Sequence, residues 1–217
     1  MAFVTTKSQV PKDAVVMDET EAAEFAWDLV YSWKELSDVW ALRYGSVLLA
    51  GINGISGAVI NKHYRRKLKL GTYGHFSSVI PVTVMPAILT MLFHRYLIST
   101  DMILMKGDQC PICYEIRSAA TQVVLGTTYP MLLAPTSALM MANRYNTYRV
   151  PELIKGPKVL FKFLRTITKP LTGTLTALAT IQIIASSIVT YFEMKNSIVL
   201  RNKVMEIEQK LLAEQEQ

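Results

Sequence analysis

The stretch CPICYEIRSAATQVVLGTTYPMLLAPTSALMMANRY, residues 110–145, decides how this chain folds. Residues 118–143 carry no charge for 26 positions, and about 20 residues of helix suffice to cross the roughly 30 Å of bilayer hydrocarbon. Both cysteines, Cys110 and Cys113, stand just before that run, and Tyr129-Pro130 and Pro135 interrupt it. Three further uncharged runs lie outward from it, at residues 44–61, 71–94 and 170–192. With 18% charged residues and a mean hydropathy of +0.25, the chain is too apolar for an ordinary soluble domain. The pattern predicts an all-α membrane protein built as a four-transmembrane-helix bundle. It adds an N-terminal amphipathic helix, a basic amphipathic helix in the third loop and a C-terminal helical extension. Three parts follow: a tail at 1–43, a membrane domain at 44–192 and a helical tail at 193–217.

The net charge of +6 could point to nucleic acid, but its distribution points to a bilayer. Residues 62–70 and 144–169 together hold 12 basic residues and 1 acidic one, whereas the first tail holds 4 and 8. In a four-span bundle those two loops share a side, which is the positive-inside pattern. Both tails and the cysteine loop then face the opposite compartment. The first 40 residues lack a basic start followed by an apolar stretch, and the acidic cluster at 18–28 is unlike an Arg-rich transit peptide, so targeting information is expected inside the chain.

Asp18 with Glu21 forms a capping box, and Phe25, Leu29, Trp33, Leu36 and Trp40 recur at helical spacing. That stripe predicts an amphipathic helix running into the first span, lying on the membrane surface or packed on the rest of the protein. Ser46, Ala50, Gly54 and Ala58 make a small-residue stripe in the first span, fit for close helix packing within the bundle or onto another protein. Arg65 and Arg66 in the first loop set topology or meet anionic headgroups. Lys158, Lys162, Arg165 and Lys169 fall on one face of a helix in the third loop and invite the same reading. Pro81 and Pro86 predict a kink in the second span, Pro130 and Pro135 one in the third. Leu200, Val204, Ile207 and Leu211 form a stripe in the C-terminal tail that needs a partner surface.

Catalytic candidates are few. His63, His75 and His94 lie apart at span boundaries, so no metal cluster is visible, and the four runs contain no ionisable Asp, Glu, Lys or Arg. Asn53, Gln122 and Gln182 suit hydrogen bonds between helices. No polar stripe is expected along any span, which speaks against a channel or translocase subunit. Cys110-Pro-Ile-Cys113 before a helix could support thiol–disulfide chemistry. Four-span oxidoreductases with this motif use a second cysteine pair or a partner, however, and this chain has no second pair. A structural disulfide closing the turn is the favoured expectation; a redox role remains the alternative.

Cys110-x-x-Cys113-x-x-x-Arg117-Ser118, then Tyr129-Pro130, then Ala142-Asn143-Arg144-Tyr145, resembles the transmembrane protein 126 family of the mitochondrial inner membrane. Gly51-Ile-Asn53, Asn61 with Arg65-Arg66, Lys155-Gly156 and Arg165-Thr-Ile-Thr-Lys169-Pro170 agree with it, and the resemblance covers about residues 44–191. It implies a protein without known catalysis, metal or cofactor that assists biogenesis of respiratory complex I. One vertebrate paralogue is tied to the proximal membrane arm and the other to the distal arm. The implied partners are membrane-arm subunits or assembly factors of complex I, with the anionic lipid cardiolipin as a further candidate and nucleic acid as none. Under the resemblance, loops one and three face the matrix. Both tails and the cysteine loop face the intermembrane space, where oxidative import favours a disulfide between Cys110 and Cys113.

Overall fold

A computed structural model of the chain describes residues 17–104, 110–148 and 157–215, every regular element of which is helical. We number the helices α1 (Glu19–Ser32), α2 (Leu36–Lys67), α3 (His75–Leu104), α4 (Pro111–Arg144), α5 (Pro157–Thr168) and α6 (Thr172–Gln215). By length and composition, four helices can cross a membrane: α2, α3, α4 and Lys158–Lys210, in which a 3-10 turn at Lys169–Leu171 joins α5 to α6. At about 1.5 Å per residue, the 44 residues of α6 reach roughly 66 Å and overrun any hydrocarbon layer. The C-terminal extension is thus the far end of the last span.

Helix α2 is central, packing on α3, α4 and α6. Asp38 in its first turn and Arg65, Arg66 and Lys67 in its last match the helix dipole. The expected proline kinks take the form of π-turns, at Ile80–Val84 with Pro81 and at Val124–Thr128 just before Pro130. Pro86 cannot supply the N–H that an α-helix would direct to the carbonyl of Val82. That carbonyl lies against Gly57 of α2, where a Cβ would collide with it. Close backbone approach of this kind is how helices associate when apolar burial gives no drive.

The small-residue stripe lies partly off this interface. Ser46 and Ala50 are buried, but Gly54 only approaches Ala87, Ala58 is exposed, and Gly51 has nothing within 4 Å of its would-be Cβ. The buried line of α2 instead runs Leu42, Gly45, Leu49, Asn53, Gly57, Ile60 and Tyr64.

The N-terminal stripe is corrected as well. Asp18 N donates to Glu21 Oε2 at 3.3 Å, completing the expected capping box. Helix α1 ends at Ser32, however, and Trp33 is extended, at φ −61° and ψ 128°. A period counted across that break does not define one face. Ala26, Trp27 and Val30 are the buried residues, while Phe25 and Leu36 are exposed. Trp27 and Val30 pack with Val39, Leu42 and Leu200, so α1 lies on its own protein. Arg43 holds it there, donating to the carbonyls of Val30, Tyr31 and Trp33 at 2.7–2.9 Å. These are the orphan acceptors of a helix C-terminus.

Arg65 is another correction: it is 6% exposed and cannot present its charge to headgroups. Its guanidinium donates to the carbonyls of Gly71 and Tyr73 at 2.8 and 2.9 Å and to Ser78 Oγ at 2.8 Å. That fork fastens the turn between α2 and α3, where Lys69, Gly71 and Gly74 all have positive φ. The second span, α3, therefore starts at His75 rather than at Gly71.

Gly57→Ala should destabilise the detergent-solubilised protein by about 1–3 kcal/mol, the usual cost of overpacking. Gly51→Ala should be neutral or slightly stabilising. Thermal unfolding followed by circular dichroism compares the two directly.

Candidate functional site

Along α6 the buried residues include Gln182, Ser186, Thr190, Glu193 and Ser197, spaced by four, four, three and four. This is a polar stripe at helical period. The expectation that no span carries one is overturned, because the stripe alternates with apolar residues that hide it in any hydropathy average. Gln182, Glu193 and Ser197 bond to neighbouring helices, while Ser186 Oγ donates within α6 to the carbonyl of Ile183. Gln182 Nε2 donates to Ser56 Oγ of α2 at 2.9 Å, and Thr127 Oγ1 of α4 donates to Gln182 Oε1 at 2.8 Å. Ser197 Oγ donates to the carbonyl of Met102 in α3 at 3.3 Å.

The other two interior amides complete the lattice. Asn53 Nδ2 donates to Thr90 Oγ1 at 2.7 Å, and Gln122 Nε2 donates to the carbonyl of Leu49 at 3.0 Å. Gly126 lies directly against the amides of Asn53 and Gln182, where a Cβ would collide with both. A glycine there lets α4 come close enough for α2 and α6 to bond across it.

The strongest feature is the pair His94–Glu193. Both residues are buried, at 1% and 0% exposure, and His94 Nε2 lies 3.1 and 3.0 Å from the two carboxylate oxygens. Ser99 Oγ donates to Glu193 Oε2 at 3.2 Å, and Ser118 Oγ lies 3.4 Å from His94 Nδ1. With its proton on Nε2, the imidazole donates to Glu193 and accepts from the Ser118 hydroxyl. Gly45 of α2 closes the fourth side, since a Cβ there would meet Glu193 Oε1 at 2.5 Å. Side chains from α3, α4 and α6 thus converge on a gap left by α2.

In connectivity, Ser118–His94–Glu193 matches a nucleophile–base–acid relay. Its surroundings do not suit one: Ser118 is fully buried, and no described cleft is lined by any of the three residues. The arrangement ties helices together. Buried polar groups are retained where they are hydrogen-bonded, and leaving one without its partner costs about 1–3 kcal/mol.

The sequence did not single out this pair, because the uncharged runs end at His94 and at Phe192 by construction. Glu193 stands one residue outside, and the helices continue beyond it. The signal that could have found it is the α6 stripe itself, which Glu193 continues.

The other motif residues divide by location. Arg117 donates to Asp101 Oδ2 at 2.9 Å and to the carbonyl of Leu97 at 3.0 Å, fixing α4 to the end of α3. Pro130 is buried and Tyr129 half-buried. Asn143, Arg144 and Tyr145 are exposed at the end of α4, where Tyr145 stacks on Tyr73 at 5.1 Å. Lys158, Lys162, Arg165 and Lys169 are exposed, as is Arg66. Helix α5 does not lie free on a surface, since Phe163 and Ile167 pack on the core cluster around Tyr64. Cys110 and Cys113 are free, exposed thiols in the structure, joined only by the backbone bond from Cys113 N to Cys110 O at 2.8 Å. Leu200 and Val204 of the C-terminal stripe are covered by α1, whereas Ile207 is 49% exposed. The side chain of Leu211 lies outside the described residues.

A family model described as Transmembrane protein 126 matches residues 30–209. Transmembrane protein 126 of Drosophila melanogaster is 38% identical over 200 residues, covering 92% of this chain and 90% of the fly protein. Transmembrane protein 126A of Mus musculus is 33% identical over 136 residues, 62% of this chain and 65% of the mouse protein. The Homo sapiens protein of that name is 32% identical over 130 residues, 59% of this chain and 63% of its own length. No solved structure matches.

His94→Leu should lower stability by about 1–3 kcal/mol, because it leaves the buried Glu193 side chain without its partner. Glu193→Gln, which keeps a hydrogen-bonding group on His94, should cost less than half as much. Guanidinium or thermal unfolding in a neutral detergent measures both.

Proposed function

The chain belongs to the transmembrane protein 126 family, and on that premise we propose that it is a non-catalytic scaffold of the mitochondrial inner membrane. It would hold membrane-arm subunits of respiratory complex I, or their assembly factors, while that arm is built. The observation that carries this reading is where the polar chemistry goes. The strongest interior groups, His94, Glu193, Gln122, Gln182 and Asn53, bond one helix to another and line no described cleft. What remains for other molecules is the outer surface, including the far end of α6, where Met205 and Ile207 are exposed beyond the helix-α1 contact. The names of the relatives state no activity.

In this proposal the basic loops face the matrix, and both tails and the cysteine loop face the intermembrane space. Cys110 and Cys113 serve the shape of the α3–α4 connection. The competing thiol-oxidoreductase reading draws on the exposure of both thiols at the first turn of α4. Cys110→Ser separates the two. The scaffold reading expects reduced protein abundance or no effect, whereas an oxidoreductase expects normal abundance with lost function.

Native electrophoresis of solubilised inner membranes with mass spectrometry of each band tests the main proposal. The expected result is co-migration with complex I membrane subunits or their assembly factors in species well above the 24.4 kDa of the chain. Migration only as a lone species would contradict it.

A further inference from the structure

All described carboxylates lie toward the α1 and cysteine-loop end of the bundle. The opposite end carries Lys62, Arg65, Arg66, Lys67, Lys69, Arg144, Lys158, Lys162, Arg165 and Lys169 with no described Asp or Glu among them. Arg65 is satisfied by carbonyl and hydroxyl oxygens, which accept its hydrogen bonds without cancelling its charge. Among the described residues this end is a basic field, of the kind that attracts anions at a membrane surface.

The surface there is shaped rather than flat. Lys62 and Arg66, one turn apart on α2 and both exposed, form a ridge between two clefts. The first, of about 770 Å³, lies between α2 and the start of α3 and is also lined by Lys69 and His75. The second, of about 590 Å³, lies between α2 and the start of α6. In both, the wall one turn further into the span is apolar or small: Ala58 and Val79 in the first, Val59 and Leu171 in the second. Basic at the loop and apolar toward the middle of the helix is the polarity of a phospholipid.

We propose that the cleft between α2 and α3 is a binding site for an anionic diacyl phospholipid. Its phosphodiester sits on Lys62 and Arg66, and an acyl chain follows Ala58 and Val79 along α2. Lys69 and His75 close the headgroup end. Arg65 holds the turn that carries Lys69 and His75 in place and is a positioning residue rather than a ligand. This inference stands apart from the scaffold reading, since it would hold whatever the protein assembles with.

The test uses the full chain, purified in a neutral detergent, delipidated and titrated with phosphatidylglycerol or phosphatidylcholine under native mass spectrometry. Phosphatidylglycerol should be retained in preference to phosphatidylcholine. Lys62→Ala with Arg66→Ala should weaken its retention about 30-fold, at the usual contribution of a basic residue beside an anionic headgroup. Lys158→Ala with Lys162→Ala removes the same charge outside both clefts and should change retention less than twofold. Ala58→Trp fills the cleft without touching a charge and should weaken retention as well; circular dichroism confirms that each variant remains folded. Equal retention of both lipids, equal weakening by the two double variants, or unhindered binding to Ala58→Trp would each overturn the proposal. So would displacement by soluble glycerol 1-phosphate, which would assign the site to a free phosphate ester.

Discussion

A carboxylate and an imidazole buried at 0% and 1% exposure constrain everything around them. Glu193 is fully buried, so α6 must turn that side inward and meet a polar partner. His94 supplies it from α3, Ser118 from α4 orients the other imidazole nitrogen, and Gly45 of α2 leaves the room. One contact thereby fixes the rotation of three helices and the closeness of a fourth. The amide contacts of Asn53, Gln122 and Gln182 repeat the device further along the bundle with neutral groups.

The same logic explains where the apolar side chains go. In lipid, Ile and Leu gain nothing by leaving the surface, and α6 accordingly exposes Ile181, Ile184, Ile188 and Tyr191 opposite its polar stripe. Buried apolar clusters gather instead near the two ends of the bundle. One surrounds Trp27 and Leu42 beneath α1, and another surrounds Tyr64 and Leu171 beneath α5. The peripheral helices are docked by ordinary hydrophobic packing, and the spans are joined by hydrogen bonds and glycine contacts. That division suits a protein whose interior is closed and whose outer faces are left for other molecules.

Much of this architecture is legible in the residues because hydropathy reports on length and charge reports on sides. Four helices fit for a membrane, a capped helix before the first, and a last span that projects all follow from runs, caps and period. What the residues conceal is rotation. The stripe through Phe25, Leu29, Trp33, Leu36 and Trp40 omits Trp27 because it spans Trp33–Glu35, where the helix breaks. Gly54 and Ala58 share the small size of a packing face, yet on α2 it is Gly45 and Gly57 that meet a carboxylate and a carbonyl. Arg65 and Arg66 are adjacent and alike in sequence, yet one fastens a turn and the other stands exposed beside a cleft. His94 is the last residue of the second uncharged run and Glu193 stands one residue beyond the fourth, so only the helix period of α6 links Glu193 to the span it belongs to.

The His94–Glu193 contact should hold the four spans as one cooperative unit. Amide hydrogen–deuterium exchange in lipid nanodiscs tests it most directly, comparing the native chain with Glu193→Ala. The account predicts slow exchange around residues 45, 94, 118 and 193 in the native protein, and a joint acceleration at all four in the variant. Acceleration confined to the neighbourhood of residue 193, with the other three segments unchanged, would contradict it.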